Sequence, residues 1–130
     1  MRYYILVFLF STSSYAVDLS KVIDEKVLSI AKVKTFKEQK ENLLLLQDEI
    51  KKLKKASKLS DRDFYIATDF NKVVDSISMM TSNSRESCFN TQIEVMSSYG
   101  VRSVDMSEKE LPSGAKKALL ALKILCSMKK

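Results

Sequence analysis

Apolar residues recur at spacings of three and four along most of the chain, which predicts a series of amphipathic helices. The predicted helices cover approximately residues 18–33, 35–57, 60–80, 85–99 and 113–128. Their apolar stripes are Leu19, Ile23, Val27 and Ile30; Phe36, Leu43, Leu46, Ile50 and Leu53; Ala67, Phe70, Val74 and Ile77; Cys88, Val95 and Tyr99; and Ala115, Leu119, Leu122 and Cys126. Strand-type alternation does not compete with this pattern anywhere.

Helix boundaries are marked by residues that satisfy or interrupt the backbone hydrogen bonds at helix ends. Thr35 and Glu38 have the spacing of a capping box, and Ser60 can cap the third helix. Gly100 is a usual helix terminator, and Pro112 breaks the connector before the last helix. Five helices joined by short links predict an all-α fold, a small up-and-down bundle.

The first sixteen residues have the three-part order of a secretory signal peptide. Arg2 precedes the apolar run 4–10, and small residues including Ser14 and Ala16 follow it. A membrane anchor needs about 20 apolar residues, so this run is too short to span a bilayer. We therefore expect cleavage after Ala16, which leaves residues 17–130 as one helical domain that is secreted or periplasmic.

Composition removes several classes of chemistry. The 130-residue chain has no His, so the usual Ser-His and Cys-His machinery and His-ligated metal sites are excluded. Glycine occurs only at 100 and 114, too sparsely for a phosphate-binding loop. Acidic pairs such as Asp61 and Asp63 are expected to be solvated. We predict no enzyme activity, catalytic residue, metal or cofactor.

The two cysteines, Cys88 and Cys126, are expected to form one structural disulfide. Cys88 lies twelve residues before Gly100 and Cys126 thirteen after Ser113. At 1.5 Å per residue, they lie roughly 18 and 20 Å from the closed end of a helical hairpin. Two thiols at nearly the same height can pair, as is common in exported proteins.

Two basic segments leave a membrane interaction open. The run 51–58 contains five Lys, but it has no aromatic residues for stacking, so we expect no nucleic-acid binding. The last helix carries Lys and no acid, yet Lys116, Lys123 and Lys130 recur every seven residues and form only a narrow polar stripe. A helix that is apolar over most of its circumference is normally central in a bundle.

Function is predicted only by architecture: a non-catalytic helical protein that binds another protein, of inhibitor, immunity or assembly-adaptor type. The alternative is a membrane-active or lipid-binding cationic protein. Apolar positions outside the stripes include Leu44, Leu45 and those of the 101–111 connector. We expect the partner to contact the connector and its edge, through Tyr99, Arg102, Val104, Met106 and Leu111.

Overall fold

The structure, a computed structural model, describes residues 18–100 and 111–127. These residues form five helices and no strand, which confirms the predicted all-α fold. The helices are α1 (Leu19–Ile30), α2 (Phe36–Lys55), α3 (Asp61–Ser78), α4 (Arg85–Ser98) and α5 (Ser113–Ser127). The predicted signal peptide and most of the connector lie outside the described residues.

The predicted helix starts are confirmed by side-chain caps. The Thr35 hydroxyl accepts the backbone N–H of Glu38 at 3.1 Å and donates to the Glu38 carboxylate at 3.0 Å. Ser60 accepts the N–H of Asp63 in the same way at 3.2 Å. At the end of α4, Gly100 has a φ of 80°, a left-handed conformation that favours glycine.

Successive helices run in opposite directions. Between α2 and α3, the Lys40 ammonium at one end donates to the Met80 carbonyl at 2.7 Å, and Lys54 at the other end lies over the Phe64 ring. The Cys88–Cys126 disulfide joins the start of α4 to the end of α5. These contacts make α2 antiparallel to α3, and α4 antiparallel to α5.

Helices α1, α3 and α5 point the same way. The backbone N–H of Leu19, at the start of α1, reaches the carboxylate of Asp63, at the start of α3. Near the end of α3, the Asn83 amide donates to the Leu125 carbonyl of α5 at 2.9 Å. The bundle therefore alternates up and down through all five described helices.

Helix α5 is central in the bundle: like α3, it packs against each of the other four helices. Its closest approach is to α3, at Gly114. A Cβ at this position would collide with the backbone carbonyl of Ile66 and lie 2.9 Å from the backbone nitrogen of Phe70. Glycine is therefore needed here for the two backbones to meet, whatever its effect on helix propensity.

The apolar stripes form the core. All the predicted stripe residues are buried except Phe36, Cys88, Tyr99 and Cys126, and these four are partly buried against the core. The Cα atoms of Cys88 and Cys126 are 6.2 Å apart, which confirms the predicted height match. Helical spacing alone therefore predicts the greater part of the core.

Two buried polar residues support the packing of neighbouring helices. The Gln39 amide of α2 donates to the carbonyls of Ile30 and Val33, at and just beyond the end of α1. Asp63 is also buried, so the expectation of a solvated acid is wrong for this residue. Its carboxylate accepts the Leu19 N–H, and it therefore has a structural role at the start of α1.

Candidate interaction surfaces

Tyr99 is the first of the predicted partner-binding residues, and it is half-buried between α3 and α4. Its hydroxyl donates to the Asp69 carboxylate at 3.0 Å, while the Lys72 ammonium lies 4.4 Å from the ring centroid. Burial raises the pKa of Tyr99, and so do the hydrogen bond and negative charge of Asp69. The Tyr99 side chain is thus held against α3 and links the end of α4 to that helix.

Of the other four predicted partner-binding residues, the structure describes only Leu111. Arg102, Val104 and Met106 lie outside the described residues. Leu111 is 3% exposed and belongs to the core, which corrects the expectation that it is an exposed anchor. The expectation failed because Leu111 lies only two residues before the start of α5. Helix α5 packs in the centre of the bundle, so Leu111 is buried next to it.

Leu44 and Leu45, the other apolar positions outside the stripes, have different surroundings. Leu44 is partly buried against the core, whereas Leu45 is 48% exposed. The side chains of Leu44 and Leu45 point in directions that differ by about 100° around α2, and Leu45 points almost opposite to the buried Leu43. Leu45 is therefore a single exposed apolar residue on the outer side of α2.

One side of α5 is exposed in the interval between α1 and α4. Lys117 forms a 2.7 Å ion pair with Asp24 of α1, and Cys126 binds Cys88 of α4. Between these two directions runs a strip of exposed α5 residues at spacings of three and four. These are Lys116, Leu120, Lys123 and Ser127. Since α1 and α4 do not pack closely against each other, the strip faces solvent.

Large apolar side chains are exposed on both helices that flank this strip. On α1, Leu28 lies one turn beyond Asp24 and is 58% exposed. On α4, Phe89 and Ile93 are one turn apart and exposed, on the side of the helix away from Ser87 and Thr91, which face α3. We call this surface the open face and define it by Leu28, Phe89, Ile93, Lys116 and Leu120.

A second exposed cluster lies where α2 ends and α3 begins. Phe64 and Tyr65 are exposed and meet edge to face, with centroids 6.1 Å apart and planes at 85°. The Lys54 ammonium lies 4.9 Å from the Phe64 centroid. Lys51 and Lys55, three residues before and one residue after Lys54 on α2, are exposed. These five residues form the aromatic–lysine patch.

The aromatic–lysine patch was missed in the sequence because its two halves belong to different helices. The run 51–58 contains no aromatic residue, but the antiparallel packing of α2 on α3 brings Phe64 and Tyr65 to it. The available signal was the short link between Lys55 and Asp61, which requires that the end of α2 and the first turn of α3 be neighbours.

A groove of about 240 Å³ lies between α3 and α4. Its lining is mostly hydroxyl and amide groups, with Glu94 as its one carboxylate, and Met79 and Met80 at its edge. Among the described residues, His, Cys, Asp and Glu form no group of three that could hold a metal ion. Within the same ranges, each helix is too short or too polar to cross a bilayer.

Comparison with models of protein families, with curated proteins and with solved structures finds no match to the chain.

Proposed function

We propose that this chain is an exported, non-catalytic protein that binds another protein through its open face. The observation that carries the proposal is the exposure of Leu28, Phe89, Ile93 and Leu120 on α5 and on the two helices that flank its exposed strip. Scattered exposed apolar residues are normal, but several of them bordering one strip are typical of an interaction surface.

The charges of the open face favour a partner with acidic residues. Lys116 and Lys123 are exposed on the strip itself. Aromatic and apolar residues supply the centre of most interfaces, while charges at the rim guide association and orientation. We therefore expect a partner surface that is apolar at its centre and acidic at its rim.

Export is supported by the order of residues 1–16 and by the Cys88–Cys126 disulfide, because disulfides persist mainly in oxidising compartments. Expression of the full chain should give a product that begins at residue 17 and has no free thiol. Mass spectrometry with and without alkylation measures both properties. A product that retains residues 1–16 and two free thiols would contradict export.

Membrane activity of α5 is the alternative function. Most of its apolar residues are buried among four helices, including Leu119, Leu122 and Leu125. To insert into a bilayer, α5 would have to leave the bundle while it remains tethered to α4 by the disulfide. Protein binding requires no such rearrangement, and we prefer it for this reason.

Site-specific photo-crosslinking in producing cells tests the proposal. A photoreactive amino acid would replace Leu28, Ile93 or Leu120 on the open face, or Leu45 on α2 as a control of similar exposure. We expect one adduct of the same partner mass at the three open-face positions and none at Leu45. Adducts at all four positions, or at Leu45 alone, would locate binding elsewhere.

A further inference from the structure

The aromatic–lysine patch has no role in the proposed partner binding, because it occupies a different part of the molecule. Lys51, Lys54 and Lys55 lie in the last two turns of α2, and Phe64 and Tyr65 in the first turn of α3. Lys52, on the same turns, already pairs with Asp48 at 3.4 Å. The three lysines of the patch therefore add positive charge beside two exposed rings.

We propose that this patch docks the protein on the surface of an anionic phospholipid membrane. Tyrosine and phenylalanine suit the boundary between headgroups and acyl chains, and Tyr can keep its hydroxyl in the polar layer. Lysines near the surface are attracted to anionic headgroups over distances of about one Debye length, roughly 8 Å at physiological salt. The patch combines both features at one end of two helices.

Ring geometry favours a lipid surface over a single-stranded nucleic acid. Successive bases stack on ring faces that are open and roughly parallel. Here the planes of Phe64 and Tyr65 are nearly perpendicular, at 85°, and Lys54 covers one face of Phe64. Side-on insertion of the two rings into a headgroup layer needs neither an open stack nor coplanar rings.

Membrane docking rests on the export part of the proposed function, since export is what brings the protein to an envelope surface. It does not rest on partner binding. The vesicle experiment below uses purified protein, so its failure would leave both export and partner binding untouched.

The test is co-flotation with vesicles of phosphatidylcholine, with or without phosphatidylglycerol. The protein would be purified from cells that express the full chain, with the same N-terminus in every variant. We expect binding only to vesicles that contain phosphatidylglycerol. Replacing two lysines of the patch, Lys51→Gln with Lys55→Gln, should weaken binding by about 30-fold, since each lysine contributes about a factor of five.

A matched control carries the same change of charge at the opposite end of α2. Lys34 and Lys37 are exposed near its start, and Lys34→Gln with Lys37→Gln should leave binding nearly unchanged. An equal loss in both double variants would overturn the proposal, because net charge and not the patch would then control binding. Binding abolished by soluble glycerol phosphate would also overturn it in favour of a small-phosphate site.

Insertion of the rings can be measured separately. The chain has no Trp, so Tyr65→Trp introduces a single indole into the patch. Its emission should move to shorter wavelength on vesicles that contain phosphatidylglycerol and be quenched by brominated lipid. Emission unchanged by saturating vesicles would show that the rings stay in water and would contradict docking by this surface.

Discussion

At the scale of single residues, Gly114 shows how one missing side chain controls the packing of two helices. Propensity alone favours alanine over glycine in a helix by about 1 kcal/mol. The contact with the backbone of Ile66 leaves no space for a Cβ, however, and backbone cannot rotate away as a side chain can. The close backbone contact therefore requires glycine at position 114, although helix propensity favours alanine.

Gly114→Ala should lower the free energy of unfolding by roughly 1–3 kcal/mol, the usual cost of overpacking a core. Ser113→Ala, at the exposed neighbouring position, is the control and should have little effect. Urea denaturation followed by circular dichroism measures both. If Gly114→Ala proved as stable as the parent, α3 and α5 would not be in backbone contact.

Tyr99 supplies a prediction about pH. Its pKa is raised in the folded protein by burial and by Asp69, so the unfolded chain loses this proton first as pH rises above about 10. The stability that depends on neutral Tyr99 is therefore complete below pH ~10 and is lost at higher pH.

The tyrosinate absorbance of a Tyr65→Phe protein that begins at residue 17 isolates this group, because Tyr99 is then its one tyrosine. The midpoint should lie above pH ~10 and move down, though not fully, in Asp69→Asn, since burial remains. A midpoint at the ordinary value in both proteins would show that the Tyr99–Asp69 bond does not form in solution.

At the scale of helices, the spacing of apolar residues predicted all five described helices, and the capping residues predicted where α2 and α3 begin. Thr35 and Ser60 cap the helices they were expected to cap, because a cap depends on residues three positions apart. The apolar positions beside the α4 stripe were harder to predict: Phe89 and Ile93 are exposed, whereas Met96 is buried. Which flank of a stripe is covered depends on the neighbouring helix.

The disulfide is the covalent link between α4 and α5, and its loop spans 38 residues. Loop-closure entropy gives it about 4 kcal/mol of stabilisation, as an upper value. Cys88→Ser and Cys126→Ser should each lower Tm by more than about 10 °C, since 1 kcal/mol is worth several degrees in a domain of this size. Differential scanning calorimetry measures the shift. A change of only a degree or two would show that the folded helices gain little from the link.

At the scale of the whole molecule, the sequence predicted that α5 is central but could not predict how wide its exposed side is. Its lysine stripe indicated the direction, through Lys116 and Lys123. Leu120 lies on the same strip, and its exposure depends on the interval between α1 and α4, which is a property of the assembled bundle. The sequence also predicted that Leu111 is exposed, because this residue belongs to no helical stripe. It is buried in the core instead.

The central claim, that the open face binds a protein partner, is tested most directly by the dissociation constant of the purified partner recovered by crosslinking. Leu120→Asp, checked for folding by circular dichroism, should weaken binding at least tenfold, because residues at an interface centre contribute on the order of 2 kcal/mol. Lys116→Glu should also weaken partner binding, and more strongly at low salt than at high salt. Leu45→Asp, a matched change on the outer side of α2, should leave the constant unchanged. If Leu120→Asp binds as tightly as the parent, or if Leu45→Asp weakens binding equally, the open face is not the binding surface.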